Sequence, residues 1–347
     1  MVGFGALNMD HLYTVPELIR DGGVEVTMFT AQPGGSAANT IYGLAKLGLR
    51  CGFVGIVGDD EAGSALLESF CQAGVDTSGI LAASGVRTGQ TICITAGQGQ
   101  KAIYIIPSAN SLLDSQDIDL SYLSDTRYVH ISSFVGDGPF SQQLQAVERL
   151  PARVKVSLAL DSLYSRRGLR NMSTVLGRCA VLLGNAEEFR ELTGQEPRSA
   201  AQTCLNAGCN VVVATFGSGR QADHGQSPLG TQEATASMIV TRRTTGEGAI
   251  YHTVPAVKVH QGPIVDTTGA GDAFAAGFLF GLLARRYGPA KCGALGHTAA
   301  GFSLTALGAR EGLPTREALL GRFEASFRSV FGRKRKTGPA LHPVRTR

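Results

Sequence analysis

The run Asp266–Asp272 (DTTGAGD) contains residue types that could move a proton beside a bound anion. It leads into an apolar helical pattern over residues 270–286. Small residues before a helix leave its first N–H groups unpaired, and the helix dipole favours negative charge at that end. A carboxylate at Asp272 is useful there if it takes the proton of a substrate hydroxyl while the N–H groups hold phosphoryl oxygens. An ordinary glycine-rich turn capped by an aspartate explains the same residues.

Two other glycine-rich runs adjoin predicted elements. Pro33–Ser36 stands before a helical pattern, and its two glycines would let a ligand approach the backbone closely. Asn39, in the first turns of that helix, offers both a donor and an acceptor. Thr215–Arg220 follows a predicted strand, and open α/β sheets bind ligands at such strand ends. A simple turn with a helix cap is the alternative explanation for Pro33–Ser36. The Thr215–Arg220 pattern by itself is weak evidence for a binding site.

The motifs that are missing exclude several enzyme classes. The chain has no Gly-Lys dipeptide, and therefore no Walker A loop, and it has neither a G-x-S-x-G nor an H-E-x-x-H sequence. P-loop NTPases, α/β-hydrolases and zincins are therefore not expected.

Of the 347 residues, 45 are glycine and only 13 are proline, with no collagen repeat. Tight backbone approaches are the expected use of so much glycine.

Charge and cysteine content limit the partners and the compartment. Six of the 32 basic side chains follow Ser329, so residues 1–329 carry 26 basic against 28 acidic side chains, and nucleic-acid binding is not expected. The seven cysteines form no C-x-x-C pair, which argues for a reducing cytoplasm. The first residues lack a basic leader, and the longest apolar stretch, Ala273–Ala284, is shorter than the ~20 residues of a membrane span. We therefore expect a cytoplasmic protein that does not enter a membrane.

Hydrophobic patterns predict alternating strands and helices that would position these runs. An apolar strand over Val2–Leu7 ends in Asn8–Asp10, and segments 89–96 and 101–106 form a hairpin with its turn at 97–99. From residue 118 onward, the alternation predicts βαβ units and a parallel sheet covered on both faces, until residues 220–256, which are only loosely β. Other predicted strands lie at 51–57, 127–131, 154–160, 180–184 and 210–214, and predicted helices at 37–47, 60–73, 270–286, 290–306 and 315–330.

In chain order, these segments resemble the PfkB/ribokinase family of carbohydrate kinases. Pro33–Gly48 is similar to the N-terminal signature of that family and Asp266–Gly277 to its C-terminal signature. Val57–Asp60, an N-x-x-E motif at Asn185–Glu188 and Leu307–Ala309 support the resemblance, which spans about residues 2–320. It implies an α/β fold, a three-layer sandwich around a mostly parallel sheet, with a small β lid from residues 11–33 and 89–106. The expected organisation is a kinase domain over 1–330 and a basic tail over 331–347.

The resemblance also implies a reaction, the transfer of the ATP γ-phosphoryl group to a hydroxyl of a ribose- or fructose-like sugar. Asp272 would be the catalytic base, and the backbone of Gly269, Ala270 and Gly271 would form the anion hole. The residues expected to bind the sugar are Asn8, Asp10, Gly34, Gly35 and Asn39. Asn185 would contact the nucleotide phosphates and Glu188 would organise Mg²⁺ through water. The residues expected around the adenosine are Thr215, Gly217, Ser218, Gly219 and His297.

Two further expectations come from the same resemblance. Many members bind a monovalent cation such as K⁺ beside the anion hole, and the matching positions here are Asp266, Thr268, Ser303, Ala306, Gly308 and Gly312. The lids of family members often pair, so a homodimer through the lid is the expected assembly.

Several departures from the family pattern leave the substrate open. Ser36 stands where ribokinases usually have lysine, Ser108 where they tend to have glycine, and His130–Phe134 lacks their glutamate. A nucleoside kinase is therefore an alternative, with Phe29, Tyr104 and Phe134 as candidate walls for the base. A non-catalytic protein that senses a sugar or a nucleotide is another.

Overall fold

The computed structural model describes residues 1–96, 100–114, 116–217, 235–243, 248–255 and 264–331. The predicted hairpin turn at 97–99, most of the segment 220–256 and the basic tail beyond residue 331 lie outside these ranges.

A nine-stranded main sheet forms the centre of the fold. Its strands, in chain order, are β1 (Val2–Phe4), β4 (Cys51–Gly58), β5 (Val75–Ala83), β8 (Tyr128–Ile131), β9 (Lys155–Ala159), β10 (Cys179–Asn185), β11 (Val211–Thr215), β12 (Thr235–Arg242) and β13 (Ala249–Pro255). Their order across the sheet is β13-β12-β11-β10-β9-β8-β1-β4-β5. The seven strands from β11 to β5 are parallel, and β12 and β13 add an antiparallel edge. The sheet is mostly parallel, as the sequence predicts.

Helices cover both faces of this sheet. They are α1 (Ser36–Lys46), α2 (Glu61–Gln72), α3 (Leu120–Ser124), α4 (Asp137–Arg149), α5 (Ser162–Ser165), α6 (Gly168–Arg178), α7 (Ala186–Thr193), α8 (Pro197–Asn206), α9 (Ala270–Leu283), α10 (Pro289–Ser303) and α11 (Arg316–Phe331), with a 3₁₀ turn at Ser108–Leu112. One apolar cluster joins the sheet to α4, α6, α7 and α8. Two others join the opposite face to α1, α2, α9, α10 and α11. The result is the three-layer α/β sandwich that the strand–helix alternation predicts.

A small sheet of four strands stands beside the sandwich. Its strands are β2 (Asn8–Thr14), β3 (Met28–Gly34), β6 (Gly89–Thr95) and β7 (Lys101–Ile106), in the order β3-β2-β6-β7. β6 and β7 pair antiparallel, which confirms the predicted hairpin. Asp10 pairs with Gln32 and Thr91, and Thr91 with Ile105, so their side chains share one face of the small sheet. Contacts of this face with the sandwich, described below, identify it as the inner face.

The start of the chain differs from the sequence prediction. A single strand was expected over Val2–Leu7, but β1 ends at Phe4 and the chain enters the small sheet at Asn8. The side chain of Asn110 bonds the backbone N–H and C=O of Leu7 at 3.0 and 2.9 Å. A side chain thus replaces the strand partner that Leu7 would have had, and the prediction was wrong because such a partner leaves no periodic signal in the sequence.

The edge strand β5 was not predicted either. Only its first residue, Val75, is buried, and the other eight are exposed or partly exposed, so its sequence lacks the continuous apolar character of the central strands. In the part of the chain that the structure describes, no helix combines the length and the apolar character that crossing a membrane requires.

Candidate active site

Asp272 lies in the first turn of α9, at the carboxyl edge of the main sheet. The helix begins after Gly269, whose backbone is left-handed with φ of 73°. A Cβ atom at Gly269 would also lie 2.4 Å from the Cβ of Ala309, so both conformation and space require glycine there. The loop thus turns tightly into the helix: the Ala270 N–H donates to the carbonyl oxygen of Thr267 at 3.3 Å, and Asp272 lies in the first turn.

The carboxylate of Asp272 is held from α1. Ser36 Oγ donates to Oδ1 at 2.7 Å, and Asn39 Nδ2 donates to Oδ2 at 3.0 Å. Burial raises the pKa of Asp272 to about 7; the negative charges of Asp10 and Asp161 raise it further, while the two hydrogen bonds oppose the rise. A carboxylate with a pKa near neutrality is suited to accept a proton from a hydroxyl group.

Asp10 faces Asp272 from the small sheet. Its carboxylate lies against the backbone of Gly34, where a Cβ would come within 2.0 Å of Oδ2. Burial raises the pKa of Asp10 to about 6, and the hydrogen bond with Thr91 and the nearby cations of Arg310 and Lys101 oppose that rise. The predicted sugar residues Asp10, Gly34 and Asn39 are therefore brought together with Asp272 in one place.

The other two predicted sugar residues lie in the same region. Asn8 accepts a 2.9 Å hydrogen bond at Oδ1 from Nδ2 of Asn110, which sequence reasoning did not assign to the site. Gly35 has φ of 100°, and a Cβ there would lie 2.3 Å from the carbonyl oxygen of Ala6. The Gly34–Gly35 pair is thus needed where the small sheet passes into α1.

A buried arginine that sequence reasoning missed lies behind these residues. Arg310 Nε donates to Asn39 Oδ1 at 2.9 Å, and its Nη2 reaches the carbonyl oxygen of Gly34 at 3.4 Å. It directly follows the Leu307–Ala309 run, and that proximity was the only available signal. Burial of a charged side chain cannot be read from one position in a sequence.

A second missed cation ties the small sheet to the glycine-rich loop. Lys101 Nζ donates to Thr268 Oγ1 at 2.7 Å, and Gln32 Nε2 reaches the carbonyl oxygen of Leu307 at 3.4 Å. Lys101 and Gln32 both belong to the inner face that also contains Asp10. The inner face is thus closed onto the loop that precedes α9.

The six residues predicted for a monovalent cation are also clustered. Asp266 Oδ1 accepts from the N–H and hydroxyl of Thr268 at 2.9 and 2.8 Å, and Oδ2 accepts from the N–H of Gly308 at 2.9 Å. Burial would raise the pKa of Asp266, but these bonds outweigh it and hold the pKa below its ordinary value. The Ser303 carbonyl accepts from Ala306 N at 3.3 Å, and a Cβ at Gly312 would lie 3.0 Å from that same carbonyl oxygen.

At the other side of the site, Asn185 and Glu188 form hydrogen bonds with each other. Asn185 Oδ1 accepts from the N–H groups of Glu187 and Glu188, and Glu188 Oε2 accepts from the N–H of Asn185 at 2.7 Å. This is a capping box at the start of α7. Burial raises the pKa of Glu188 to about 8, and the charges of Asp161, Glu191 and Asp272 add to the rise.

Asp161 is a further acidic residue that sequence reasoning missed. It caps α5 by accepting from the N–H groups of Leu163 and Tyr164 at 3.0 Å, and it also accepts from the hydroxyl of Ser133. Burial raises the pKa of Asp161. It lies two residues beyond the end of β9 at Ala159, and an acidic residue near a strand end is a recognisable signal.

These carboxylates fit a hydrated magnesium ion better than a protein-built metal cage. The residues described here contain no group of three or more histidine, cysteine or acidic side chains placed to hold a metal ion. Mg²⁺ usually keeps several waters and takes one or two carboxylates together with substrate phosphates. Asp161 and Glu188 suit that mode, because a cation nearby would offset the burial that raises both of their pKa values.

The predicted adenosine residues are only partly placed. Thr215 ends β11, with its hydroxyl 3.4 Å from the carbonyl oxygen of Gly184, and Gly217 follows with φ of 65°. Ser218 and Gly219 lie outside the described residues. His297 Nε2 lies 2.9 Å from Ser237 Oγ, its ring meets Phe274 edge-on, and burial lowers its pKa to about 4, so it is neutral at pH 7.

The three aromatic residues considered as walls for a nucleoside base do not line the site. Phe134 is 1 % exposed and packs on Phe4 in the core. Phe29 and Tyr104 lie in register with Tyr13 and Ile92, on the face of the small sheet opposite to Asp10. That proposal was wrong because strand alternation turns both rings outward, and the inner face carries the exposed side chains of Ile103 and Ile105 instead.

A cavity of about 990 Å³ lies elsewhere, at the amino edge of the main sheet. Its lining includes the strand starts Cys51 and Tyr128 and the exposed arginines Arg50, Arg127 and Arg153. None of the predicted site residues belongs to it, so the cavity is separate from the cluster around Asp272.

Comparisons with known proteins agree with the fold described above. The model of the "pfkB family carbohydrate kinase" matches residues 1–219 and 229–316. An uncharacterized sugar kinase of Archaeoglobus fulgidus is 31% identical over 275 residues, which cover 78% of this chain and 98% of that protein. Arabidopsis thaliana ribokinase complexed with ribose and ATP has a TM-score of 0.72 and 23% identity, with 93% and 98% of the two chains covered. Burkholderia thailandensis nucleoside kinase in complex with inosine has a TM-score of 0.73 and 20% identity, with 94% and 97% covered.

Proposed function

Because the chain belongs to the PfkB family of carbohydrate kinases, ATP-dependent phosphotransferases, we propose that it phosphorylates a hydroxyl of a ribose- or fructose-like sugar. The observation that carries this proposal is the partly buried carboxylate of Asp272. It lies in the first turn of α9, is held by Ser36 and Asn39, and has a pKa of about 7.

In this proposal, Asp272 removes the proton of the acceptor hydroxyl as its oxygen attacks the γ-phosphorus of ATP. The bond from that phosphorus to the β-γ bridging oxygen breaks, and ADP leaves. The backbone N–H groups of Gly269, Ala270 and Gly271 donate to the phosphoryl oxygens, where preorganised donors stabilise the charge of the transition state. The helix dipole of α9 adds to that stabilisation.

The acceptor would lie between the sandwich and the inner face of the small sheet. Asp10, Asn8 and Asn39 offer oxygen and nitrogen partners to sugar hydroxyls, and Gly34 and Gly35 let the sugar approach the backbone. Ile103, which is 54 % exposed, and Ile105 would cover the carbon atoms of the sugar ring. The small sheet is then the lid of the site.

The nucleotide would lie along the ends of β10 and β11. Asn185 and Glu188 would face its phosphates, with Thr215, Gly217, Ser218, Gly219 and His297 around the adenosine. Mg²⁺ bound with ATP neutralises charge on the β- and γ-phosphates, and Glu188 would hold one of its waters. The cluster around Asp266 would take a monovalent cation such as K⁺.

We extend the proposal to the organisation of the protein. Residues 1–330 form the kinase domain, residues 331–347 are a basic tail, and the cytoplasm is the expected compartment. The face of the small sheet opposite to Asp10 carries the exposed side chains of Phe29, Tyr104 and Ile106. A second copy of the chain is its proposed occupant, which would give a homodimer through the lid.

A nucleoside kinase is the second candidate. What favours it is the fold likeness to a nucleoside kinase in complex with inosine. The outward position of Phe29 and Tyr104 and the burial of Phe134 argue for a free sugar instead, because these rings leave the base without an aromatic wall.

A panel of pentoses, hexoses and nucleosides with coupled detection of ADP tests both candidate functions, the sugar kinase and the nucleoside kinase. Sugar-dependent ADP release with slower turnover of nucleosides is the expected result. Turnover of nucleosides alone would replace the first candidate by the second. Saturable binding of a sugar or nucleotide with no ADP from any acceptor would make the chain a sensing protein.

A further inference from the structure

Arg310 is buried beneath the proposed acceptor site, and every nitrogen of its guanidinium is used. Its Nε donates to Asn39 Oδ1 at 2.9 Å, Nη1 to Ser69 Oγ at 3.0 Å, and Nη2 to the carbonyl oxygen of Gly34 at 3.4 Å. Only 6 % of the residue is exposed. The guanidinium therefore joins α1, α2 and the end of β3 at a single point.

This arginine keeps its charge in a largely apolar setting. Its guanidinium lies 5.1 Å from the ring of Tyr42 and 5.2 Å from that of Phe70. Burial lowers the pKa of Arg310 to about 10, while Asp10, Tyr42 and Asp272 oppose that shift. A buried charge is costly for stability, so its presence beside two carboxylates of the site calls for a role that a neutral side chain could not fill.

The donors of Arg310 determine which way the amide of Asn39 faces. An asparagine amide can adopt either of two orientations, with its oxygen and nitrogen exchanged. A guanidinium can only donate, so the oxygen of Asn39 must face Arg310. The Nδ2 group then faces Asp272 and donates to Oδ2 at 3.0 Å.

We propose that Arg310 is a positioning residue for phosphoryl transfer, which acts through Asn39 to hold the Asp272 carboxylate toward the acceptor hydroxyl. The inference rests on the proposed function for its catalytic consequence. Its structural content, the Arg310–Asn39–Asp272 chain of hydrogen bonds, is independent of which sugar is bound.

The pKa of Asp272 responds to this chain. Asp10 on β2 and Asp161 before α5 present negative charge to it, and Arg310 presents positive charge. Glu188 on α7 has a pKa of about 8 and is largely protonated at the pH where Asp272 titrates. Loss of the cation and of a fixed Asn39 donor leaves the ionised form of Asp272 less favoured. Its pKa must then rise, and the acid limb of the rate profile must move to higher pH.

The test compares Arg310→Lys and Arg310→Met with Lys46→Met. Lys46 is a partly buried cation on α1 that donates to the carbonyl oxygen of Leu313 at 2.6 Å. Leu313 lies close to Arg310 in sequence, but this hydrogen bond of Lys46 does not involve Asn39. We expect Arg310→Met to lower kcat by about 10²-fold, as a misoriented base does, with the acid limb shifted upward. Arg310→Lys keeps the charge, so its loss of kcat and its shift of the acid limb should both be smaller than those of Arg310→Met. Lys46→Met should lower thermal stability without moving the acid limb.

Two additional measurements keep the proposal falsifiable. Titration of ¹³C-labelled aspartate carboxyls by NMR reports the pKa of Asp272 without turnover, so it separates a failure of this proposal from an inactive enzyme. If Arg310→Met does not fold, Arg310→Lys is measured as a single variant and together with Asn39→Ala. A shift in the pKa of Asp272 that Arg310→Lys causes by itself, but not when Asn39 is already alanine, supports the chain of contacts. A folded Arg310→Lys with unchanged kcat and an unmoved Asp272 titration overturns it.

Discussion

The proposed acceptor side and the proposed nucleotide side of the site are held in different ways. At the acceptor side, Asp272 is bonded by Ser36 and Asn39, which are 236 and 233 residues away in sequence. At the nucleotide side, Asn185 and Glu188 bond each other three residues apart within one helix cap. The acceptor side is therefore fixed by the tertiary fold, whereas the nucleotide side is built from a local motif.

The same difference corresponds to different proposed roles for the carboxylates of Asp272 and Glu188. Asp272 has both oxygens engaged by donors from α1, so its orientation is set before any substrate binds. In the capping box, Glu188 accepts through Oε2, and in the proposed function its other oxygen would face a water of the Mg²⁺ shell. We expect substitutions on the acceptor side to affect the chemical step and those on the nucleotide side to affect nucleotide and metal affinity.

The largest effect is expected from Asp272→Asn. An amide has nearly the same shape but cannot accept the hydroxyl proton, so kcat should fall by about 10²–10⁴-fold. In the native protein, the ionised carboxylate is the active form, and its pKa is raised to about 7, so activity should fall as the pH drops through that value. Steady-state ADP release across pH, with circular dichroism as a check of folding, measures both. Full activity in the variant would remove Asp272 as the base.

A matched pair of glycine substitutions tests the loop before α9. Gly269→Ala forces a side chain into a left-handed backbone and within 2.4 Å of Ala309, whereas Gly271 has open space around the added Cβ. The backbone strain alone costs about 1–3 kcal/mol, and displacement of the anion hole should lower kcat by about 10²-fold. Gly271→Ala keeps its N–H group and should retain most activity. Equal losses in the two variants would show that the left-handed backbone and close packing of Gly269 have no particular effect on the reaction.

On the nucleotide side, we expect Glu188→Gln to weaken the response to Mg²⁺-ATP. Groups that orient metal ligands typically change metal affinity by about 10–100-fold, and an effect near the lower end fits a contact made through water. The KM for ATP and the Mg²⁺ concentration for half-maximal rate should rise about tenfold, with a smaller change in kcat. Glu187→Gln on the same helix is the control, because Glu187 is exposed and pairs with Arg190. A fall in kcat with unchanged Mg²⁺ dependence would contradict the division between the two sides.

The same division explains what could be predicted from the sequence. The strand–helix alternation and the glycine-rich runs are local patterns, and they correctly predicted the sandwich, the hairpin of the small sheet and the helix that begins just before Asp272. Asn110, Lys101 and Arg310 were missed because their partners lie far away in the chain, and Asp161 was missed although its position near a strand end is a local signal. Their role depends on burial and on contacts between elements, which no spacing within a segment encodes.

The outward position of Phe29 and Tyr104 has a similar origin. Both were considered as walls because they are aromatic residues in the predicted lid, but the face that a strand residue occupies depends on register. In the structure, Thr91 pairs with Asp10 and Ile105, which places the odd residues of β7 inward and Tyr104 outward. A shift of one residue would have reversed the assignment.

The smallest expected effect concerns the contact of the small sheet with the loop before α9. Lys101→Met removes a charged donor held 2.7 Å from Thr268 Oγ1, whereas Gln32→Ala removes a neutral donor 3.4 Å from the carbonyl oxygen of Leu307. The loss of a charge-assisted hydrogen bond at a partly exposed position should lower kcat/KM for the acceptor about fivefold, and Gln32→Ala should have about a twofold effect because its bond is long and uncharged. Raising the ionic strength should lower the kcat/KM of the native enzyme until it approaches that of Lys101→Met, since salt screens exposed charges. If both variants lose activity equally and independently of salt, the small sheet contributes only closure, and the charge of Lys101 plays no part at the acceptor side.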